Sequence, residues 1–334
     1  MSNNLMNNNF KKIILNSTGA ADLFEIGIIQ ELWSGYGKII RYGLVDSEFE
    51  SVVVKHVKFP GRLDHPRGWN SDISHERKVK SYNVECAWYK QWSSRCDEKC
   101  RIPKCFALEK RGDEVLMVLE DLNSSGFAER RFSVGQSEIE ACLSWLANFH
   151  AAFLGKTPDG LWETGTYWHL ATRPEELEDL SDMRLKKAAA AIDQILNNSP
   201  YQTFLHGDAK LANFCFSSCG SEVAAVDFQY IGGGCGMKDL AYFIGSCLNE
   251  EDSERYEAWL LDYYFQCLQQ ALERNNSKID FADLEANWRS LFPVAWTDFH
   301  RFIKGWSPGH WKINSYSERL AAKVLAKIDS GKFG

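Results

Sequence analysis

Between residues 28 and 57 the apolar positions come in short, β-branched runs, IIQELW, KIIRYGL and SVVVKHV, parted by SGYG and VDSEFE. Runs of that length joined by short polar turns predict three strands of an antiparallel meander. KCFALEK and EVLMVLEDL, joined by the turn RGD, predict two more. Between the two groups, residues 59–75 carry the Gly, Pro, Asp and Asn content of a long loop. ERKVKSYNVECAWYKQW then sets Val79, Tyr82, Cys86 and Tyr89 at helical spacing, which predicts a helix packed on the sheet.

Beyond Leu122 the period lengthens. Ile139, Cys142, Leu143, Leu146 and Phe153 line one face of EIEACLSWLANFHAAFLG, and DMRLKKAAAAIDQIL, ERYEAWLLDYYFQCLQQALE and SERLAAKVLAKI read as further helices. One β-rich insertion, 203–230, interrupts them. The pattern predicts an α+β chain with a flexible N-terminus over 1–24, a small sheet-plus-helix unit over 25–121 and a mainly helical unit over 122–334.

The length of 334 residues agrees with two units, and 45% hydrophobic with 25% charged residues is the composition of a globular chain. A net charge of -7 opposes nucleic acid and anionic lipid, both polyanions. The opening MSNNLMNNNFKK lacks the apolar core of a signal peptide, and no run approaches the eighteen or so apolar residues of a membrane span. A cytoplasmic protein is expected, with its ten cysteines reduced. Cys96, Cys100 and Cys105 have an unusual zinc spacing and no nearby His, so free thiols are favoured over a metal site.

Candidate chemistry lies in five local signals. Gly35 and Gly37 in SGYGK form a turn that could approach phosphates closely, or a plain hairpin turn. Lys55 ends a β-branched run, where its ammonium either snorkels or neutralises phosphate oxygens. Glu85 shares a helix face with Tyr82 and Tyr89, an odd place for a carboxylate unless a cation meets it or the position is the edge of an amphipathic helix. In FLHGDAKLANFCF, Asp208 and Asn213 can present a carboxylate to a hydroxyl and an amide oxygen to a metal. Asp227 follows the apolar strand VAAV, where a hard divalent cation would find an oxygen ligand, or where the residue is simply a strand-end turn aspartate. Taken in order, the five follow the signature set of kinases.

HGDAKLAN and VDFQ resemble the aminoglycoside phosphotransferase and choline kinase superfamily. VKSYNVECAWYKQW, VLMVLEDL, LANFHAAF and GMKDLAYFIG are most similar to its ecdysteroid kinase-like branch. The resemblance covers roughly residues 25–310. It implies a bilobal protein-kinase-like fold, with a small antiparallel-sheet N-lobe, a mainly helical C-lobe and ATP held between them. By position, Asp208 would orient or deprotonate the acceptor hydroxyl, Asn213 and Asp227 would hold Mg2+, and Lys55 would contact the α and β phosphates. Glu85 would position Lys55, the backbone from Glu120 to Leu122 would meet adenine, and Asp239 would support the catalytic loop. Lys210 is an addition that could neutralise the migrating phosphoryl group, or simply face solvent. SGYGKI lacks the third glycine of the kinase loop, and Gln229 replaces the glycine of D-F-G.

Only eleven residues part Asp227 from Asp239, too few for the activation segment of a protein kinase, so a small hydroxylated organic molecule is the expected acceptor. Trp296, Phe299, Trp306 and Trp311, beside Asp298, His300 and Arg301, could wall its site or fill a helical core. The sequence leaves the oligomeric state open.

Overall fold

A computed structural model describes residues 8–32, 35–59 and 72–332. The smaller lobe is built on a five-stranded antiparallel sheet of β1 (Asp22–Glu31), β2 (Gly37–Val45), β3 (Ser51–Lys58), β4 (Cys105–Arg111) and β5 (Glu114–Glu120), in the order β1-β2-β3-β5-β4. Lys55 pairs with Ile39 on one side and Met117 on the other. Its neighbours in the run SVVVKHV are apolar on both faces because both faces are covered.

One cover was not expected. Asn8–Thr18, inside the stretch anticipated as flexible, form helix α1, and Phe10 and Ile14 pack against Tyr42, Val52, Val54, Leu116 and Val118. The Asn-rich opening masks a Phe10, Ile13, Ile14 stripe at helical spacing, which shields the outer sheet face from water. On the inner face lies α2 (Asp72–Ala87), continued by a π-turn over Trp88–Trp92. α2 thus begins inside the segment expected to be loop; residues 60–71 of that segment, and Trp33 and Ser34 of the glycine turn, lie outside the described residues.

The larger lobe contains α3 (Gln136–Phe153), a short α4 (Pro174–Glu178), α5 (Met183–Asn197), α6 (Met237–Cys247), α7 (Glu250–Arg274), α8 (Phe281–Trp306) and α9 (Ser315–Asp329). Two small two-stranded sheets interrupt them: β6 (Thr203–Leu205) pairs with β9 (Gly232–Gly234), and between them β7 (Phe214–Phe216) forms a hairpin with β8 (Val223–Ala225). The β-rich insertion thus runs slightly further than its sequence signal, to Gly234. Aromatic pairs hold it on α3: Phe204 stacks on Phe153 at 4.8 Å, and Phe214 meets Trp145 edge-on at 5.6 Å. All ten cysteines are free thiols, and among the described residues no group of three or more His, Cys, Asp or Glu is placed to hold a metal. No helix among them is long and apolar enough to cross a membrane.

Candidate active site

Strand alternation turns Lys55 inward, and the helical repeat of α2 brings Glu85 to it. Lys55 Nζ lies 2.6 Å from Glu85 Oε2, both side chains nearly fully buried, and 3.7 Å from Asp227 Oδ1. Burial opposes the ammonium, but the Glu85 and Asp227 carboxylates outweigh it and hold the Lys55 pKa up.

The Asp208 loop leaves β6 at Leu205 and is fixed by four buried groups. Asp239, in the first turn of α6, accepts hydrogen bonds from His206 N–H (2.6 Å) and Gly207 N–H (3.0 Å), and His150 Nε2 lies 3.3 Å from it. Gly207 has φ +81°, and a Cβ there would stand 2.0 Å from the Tyr230 carbonyl oxygen, so only glycine lets the two loops meet. His206 donates through Nε2 to Val226 O (3.0 Å) and accepts the Asp208 N–H at Nδ1 (3.2 Å), tying the residue before Asp227 to Asp208 itself.

Asp208 is buried and satisfied on both oxygens. Lys210 Nζ (2.9 Å) and Asn213 Nδ2 (3.0 Å) donate to Oδ2, and Tyr242 donates to Oδ1 (3.1 Å). Burial pushes its carboxyl above the usual value, with Lys210 opposing and Asp227 adding to the rise. Asn213 Nδ2 also donates to Asp208 O (2.7 Å), which leaves Asn213 Oδ1 with no donor among the described residues.

Asp227 sits at φ 71°, in the left-handed region that a non-glycine residue enters at a cost. Its Oδ1 takes Gln229 Nε2 at 2.8 Å, and no described residue donates to Oδ2. Crowding pushes this carboxyl up, but Lys55, Lys78 and Lys210 outweigh that and hold it below the usual value. The side chain is nonetheless 38% exposed, so a ligand can reach it. One open oxygen on Asp227 and one on Asn213, on loops joined by Val226 N–H to Asn213 O (3.0 Å), fit a hard cation that completes its shell with water and phosphate oxygens.

Other expected residues separate from this set. Gly35 (φ +76°) occupies an open turn, but Gly37 answers to the sheet: a Cβ there would stand 2.0 Å from His56 O. The Glu120 carboxylate accepts from Arg101, from Lys104 N–H (2.9 Å) and from Ser125 (2.8 Å), so at most its backbone is available to a ligand. Leu122 is buried with Cys215 and Ala224, which seats the interlobe connection on the hairpin between Asn213 and Asp227.

The 296–311 run divides. Trp296, Asp298, Phe299, His300 and Arg301 are buried, and Asp298 forms a buried network with Lys238 (3.1 Å) and Arg301 (2.8 Å) that bolts α8 to α6. Trp306 and Trp311 are 49% and 59% exposed. Three partners escaped the sequence reading: Tyr242 on Asp208, Gln229 on Asp227, and Lys78, three and seven residues before Ser81 and Glu85. The helical spacing of Lys78 to Glu85 was a signal; Tyr242 and Gln229 had none beyond adjacency to the motifs. A groove of about 520 Å³ lined by residues including Arg95, Lys156 and Arg274 holds none of these side chains.

Two solved structures share the architecture at 14% identity. An amicoumacin kinase in complex with AMP-PNP, Ca2+ and Ami matches with a TM-score of 0.54, over 91% of this chain and 88% of that one. A microcompartment-associated aminopropanol kinase matches with a TM-score of 0.51, over 97% and 98%. These likenesses show a bilobal kinase-like fold. No curated protein matches the chain. The profile of the ecdysteroid kinase-like family matches residues 72–155 and 162–277, more than half of the chain, so the protein belongs to that family.

Proposed function

We propose that the protein transfers the γ-phosphoryl group of ATP to a hydroxyl of a small organic molecule, with Mg2+ as the metal. The observation that carries this reading is the connected set Lys55, Glu85, Asp227, Asn213 and Asp208, in which a buried ammonium, two open oxygens and a raised carboxylate are joined by direct contacts and touching loops. ATP enters between a smaller lobe, residues 25–121, and a larger one, 122–334. When bound, the metal supplies positive charge to the phosphate oxygens as the group moves.

The protein's own residues divide the remaining work. Lys55, kept protonated and aimed by Glu85, meets the α and β phosphates. Gly35 turns the backbone toward the phosphates, and the main chain from Glu120 to Leu122 meets adenine. Asn213 Oδ1 and Asp227 Oδ2 hold the metal. Asp208 takes the proton of the acceptor hydroxyl, whose oxygen bonds to the γ-phosphorus as the bond to the ADP oxygen breaks. Its raised pKa suits a proton acceptor, and Lys210 steadies the charge that develops beside it. Both tasks rely on a loop that three elements hold rigid.

The test is a melting measurement with ATP and Mg2+, followed by a metabolite-library phosphorylation screen read by mass spectrometry. A metal-dependent rise in Tm and a product heavier by one phosphate are expected. Nucleotide binding with no transfer to any alcohol would leave a non-catalytic scaffold, and phosphorylation of peptides in place of alcohols would replace the acceptor class.

A further inference from the structure

Gln229 stands two residues after Asp227, at the position where D-F-G has glycine. Its side chain is buried and bridges two elements. Nε2 donates to Asp227 Oδ1 at 2.8 Å, while Oε1 accepts from Lys78 Nζ at 3.1 Å and Ser81 Oγ at 3.2 Å. Chemistry fixes that orientation at both ends: a carboxylate accepts only a donor, and an ammonium offers only donors. The backbone is pinned as well, since Gln229 O accepts the indole N–H of Trp162 at 2.8 Å.

Lys78, Ser81 and Glu85 are spaced by three and four residues, so they share one face of α2. The helix that brings Glu85 to Lys55 therefore also brings Lys78 and Ser81 to Gln229. Lys55 closes the circuit 3.7 Å from the same Asp227 Oδ1 that Gln229 holds. Glycine at this position could make none of the side-chain links. Without them, an aspartate held in left-handed backbone would be free to swing its carboxylate onto Lys55 or Lys78.

We propose that Gln229 is a positioning residue: its amide clamps α2 to Asp227, so that the Lys55–Glu85 pair and the open Oδ2 of Asp227 are set together. The inference rests on the reading of Asp227 as a metal ligand. It places the cost of losing the clamp on metal-dependent nucleotide binding and spares the rest of the fold.

Calorimetric binding of AMP-PNP to the full chain, titrated with Mg2+, tests it. Gln229→Met keeps the side chain's length but makes neither hydrogen bond; the Mg2+ concentration for half-maximal binding should rise about tenfold, with metal-free binding within about twofold of wild type. Gln229→Glu keeps its contact with Lys78 but sets a second carboxylate against Asp227, so its loss should be at least as large. It also serves if the Met variant does not fold. The effect of Lys78→Met on Mg2+ dependence should disappear in the Gln229→Met background, because a clamp cut at one end has nothing to lose at the other. Wild-type Mg2+ dependence in the Met and Glu variants, or additive effects in the double variant, would overturn the clamp while leaving the metal site standing. Nucleotide binding by the wild type that ignores Mg2+ would overturn the metal reading of Asp227, and the clamp with it.

Discussion

Asp208 and Asp227 lie on touching loops, yet they are held in opposite ways. Asp208 has ordinary backbone geometry, three side-chain donors and a carboxyl pushed up mainly by burial. Asp227 is held in left-handed backbone, keeps an oxygen open, and is drawn below the usual value by three lysines. A group that takes up a proton profits from the first environment. A group that must stay an anion to hold a hard cation profits from the second. Two residues of one type are thus set apart in proton affinity by their neighbours, which is what the two proposed roles require.

The sharpest way to break this contrast is at Asp227. Asp227→Ala removes the proposed oxygen ligand, so the metal-dependent stabilisation by ATP, roughly 2.7 kcal/mol at a hundred times Kd, should largely vanish while the apoprotein melts nearly as before. A full Mg2+-dependent Tm shift in that variant would reduce Asp227 to a turn residue. Asp208→Asn should do the reverse: turnover falls about a hundredfold or more, with nucleotide affinity within a few fold. Wild-type turnover would end its assignment as the base.

Proton affinity sharpens the contrast further. With Asp208 as the proposed base, turnover should rise with pH as that group deprotonates, over a window displaced upward from the ordinary carboxylate range. Lys210 lowers the Asp208 pKa, so Lys210→Met should move the acid limb of the kcat profile to higher pH. Because Asp227 raises it, Asp227→Asn should move any residual activity the other way. An acid limb unmoved by either change would detach the profile from Asp208.

The strands, the helices α2, α3, α5, α7 and α9, and the order of Lys55, Glu85, Asp208, Asn213 and Asp227 were legible because each rests on local periodicity or short-range spacing, whereas α8, with Pro293 inside it, was not read as a helix. What the sequence hid depends on elements meeting from afar. α1 was obscured by its Asn-rich surroundings, although the consecutive valines Val52, Val53 and Val54 in β3 put apolar side chains on both faces of the sheet. Gly37 reads as a phosphate-loop glycine, and the structure gives it a different reason in the close approach of His56 O. Gln229 reads as a departure from a motif, and only the approach of α2 shows what it contacts.

The exposed rings of the aromatic run 296–311 give the smallest expected effect on function. The run's sequence signal could not separate core from pocket, because Trp serves both; burial separates them. Trp296 is buried and donates its indole N–H to Ser317 at 3.0 Å, so Trp296→Ala should cost about 3–5 kcal/mol of stability, as large core truncations do. Trp306 is half exposed and stacks on Phe302 at 6.0 Å; Phe302 meets Tyr167 at 5.5 Å, and Tyr167 meets Tyr242, the donor to Asp208, at 5.6 Å. Trp311 reaches the same tyrosine through Lys312, whose ammonium lies 5.5 Å from the Trp311 ring and 5.4 Å from that of Tyr242. Both exposed rings are thus linked to the proposed base, Trp306 through the buried rings of Phe302 and Tyr242 and Trp311 through Lys312, and they are the surfaces proposed to meet the apolar body of an alcohol. Trp306→Ala or Trp311→Ala should raise the acceptor KM about tenfold, the loss of about 1.4 kcal/mol of contact, with the KM for ATP and the Tm little changed. If both truncations lower Tm sharply and leave acceptor kinetics alone, the exposed rings are packing residues like Trp296, and the acceptor rests against another face of the cleft.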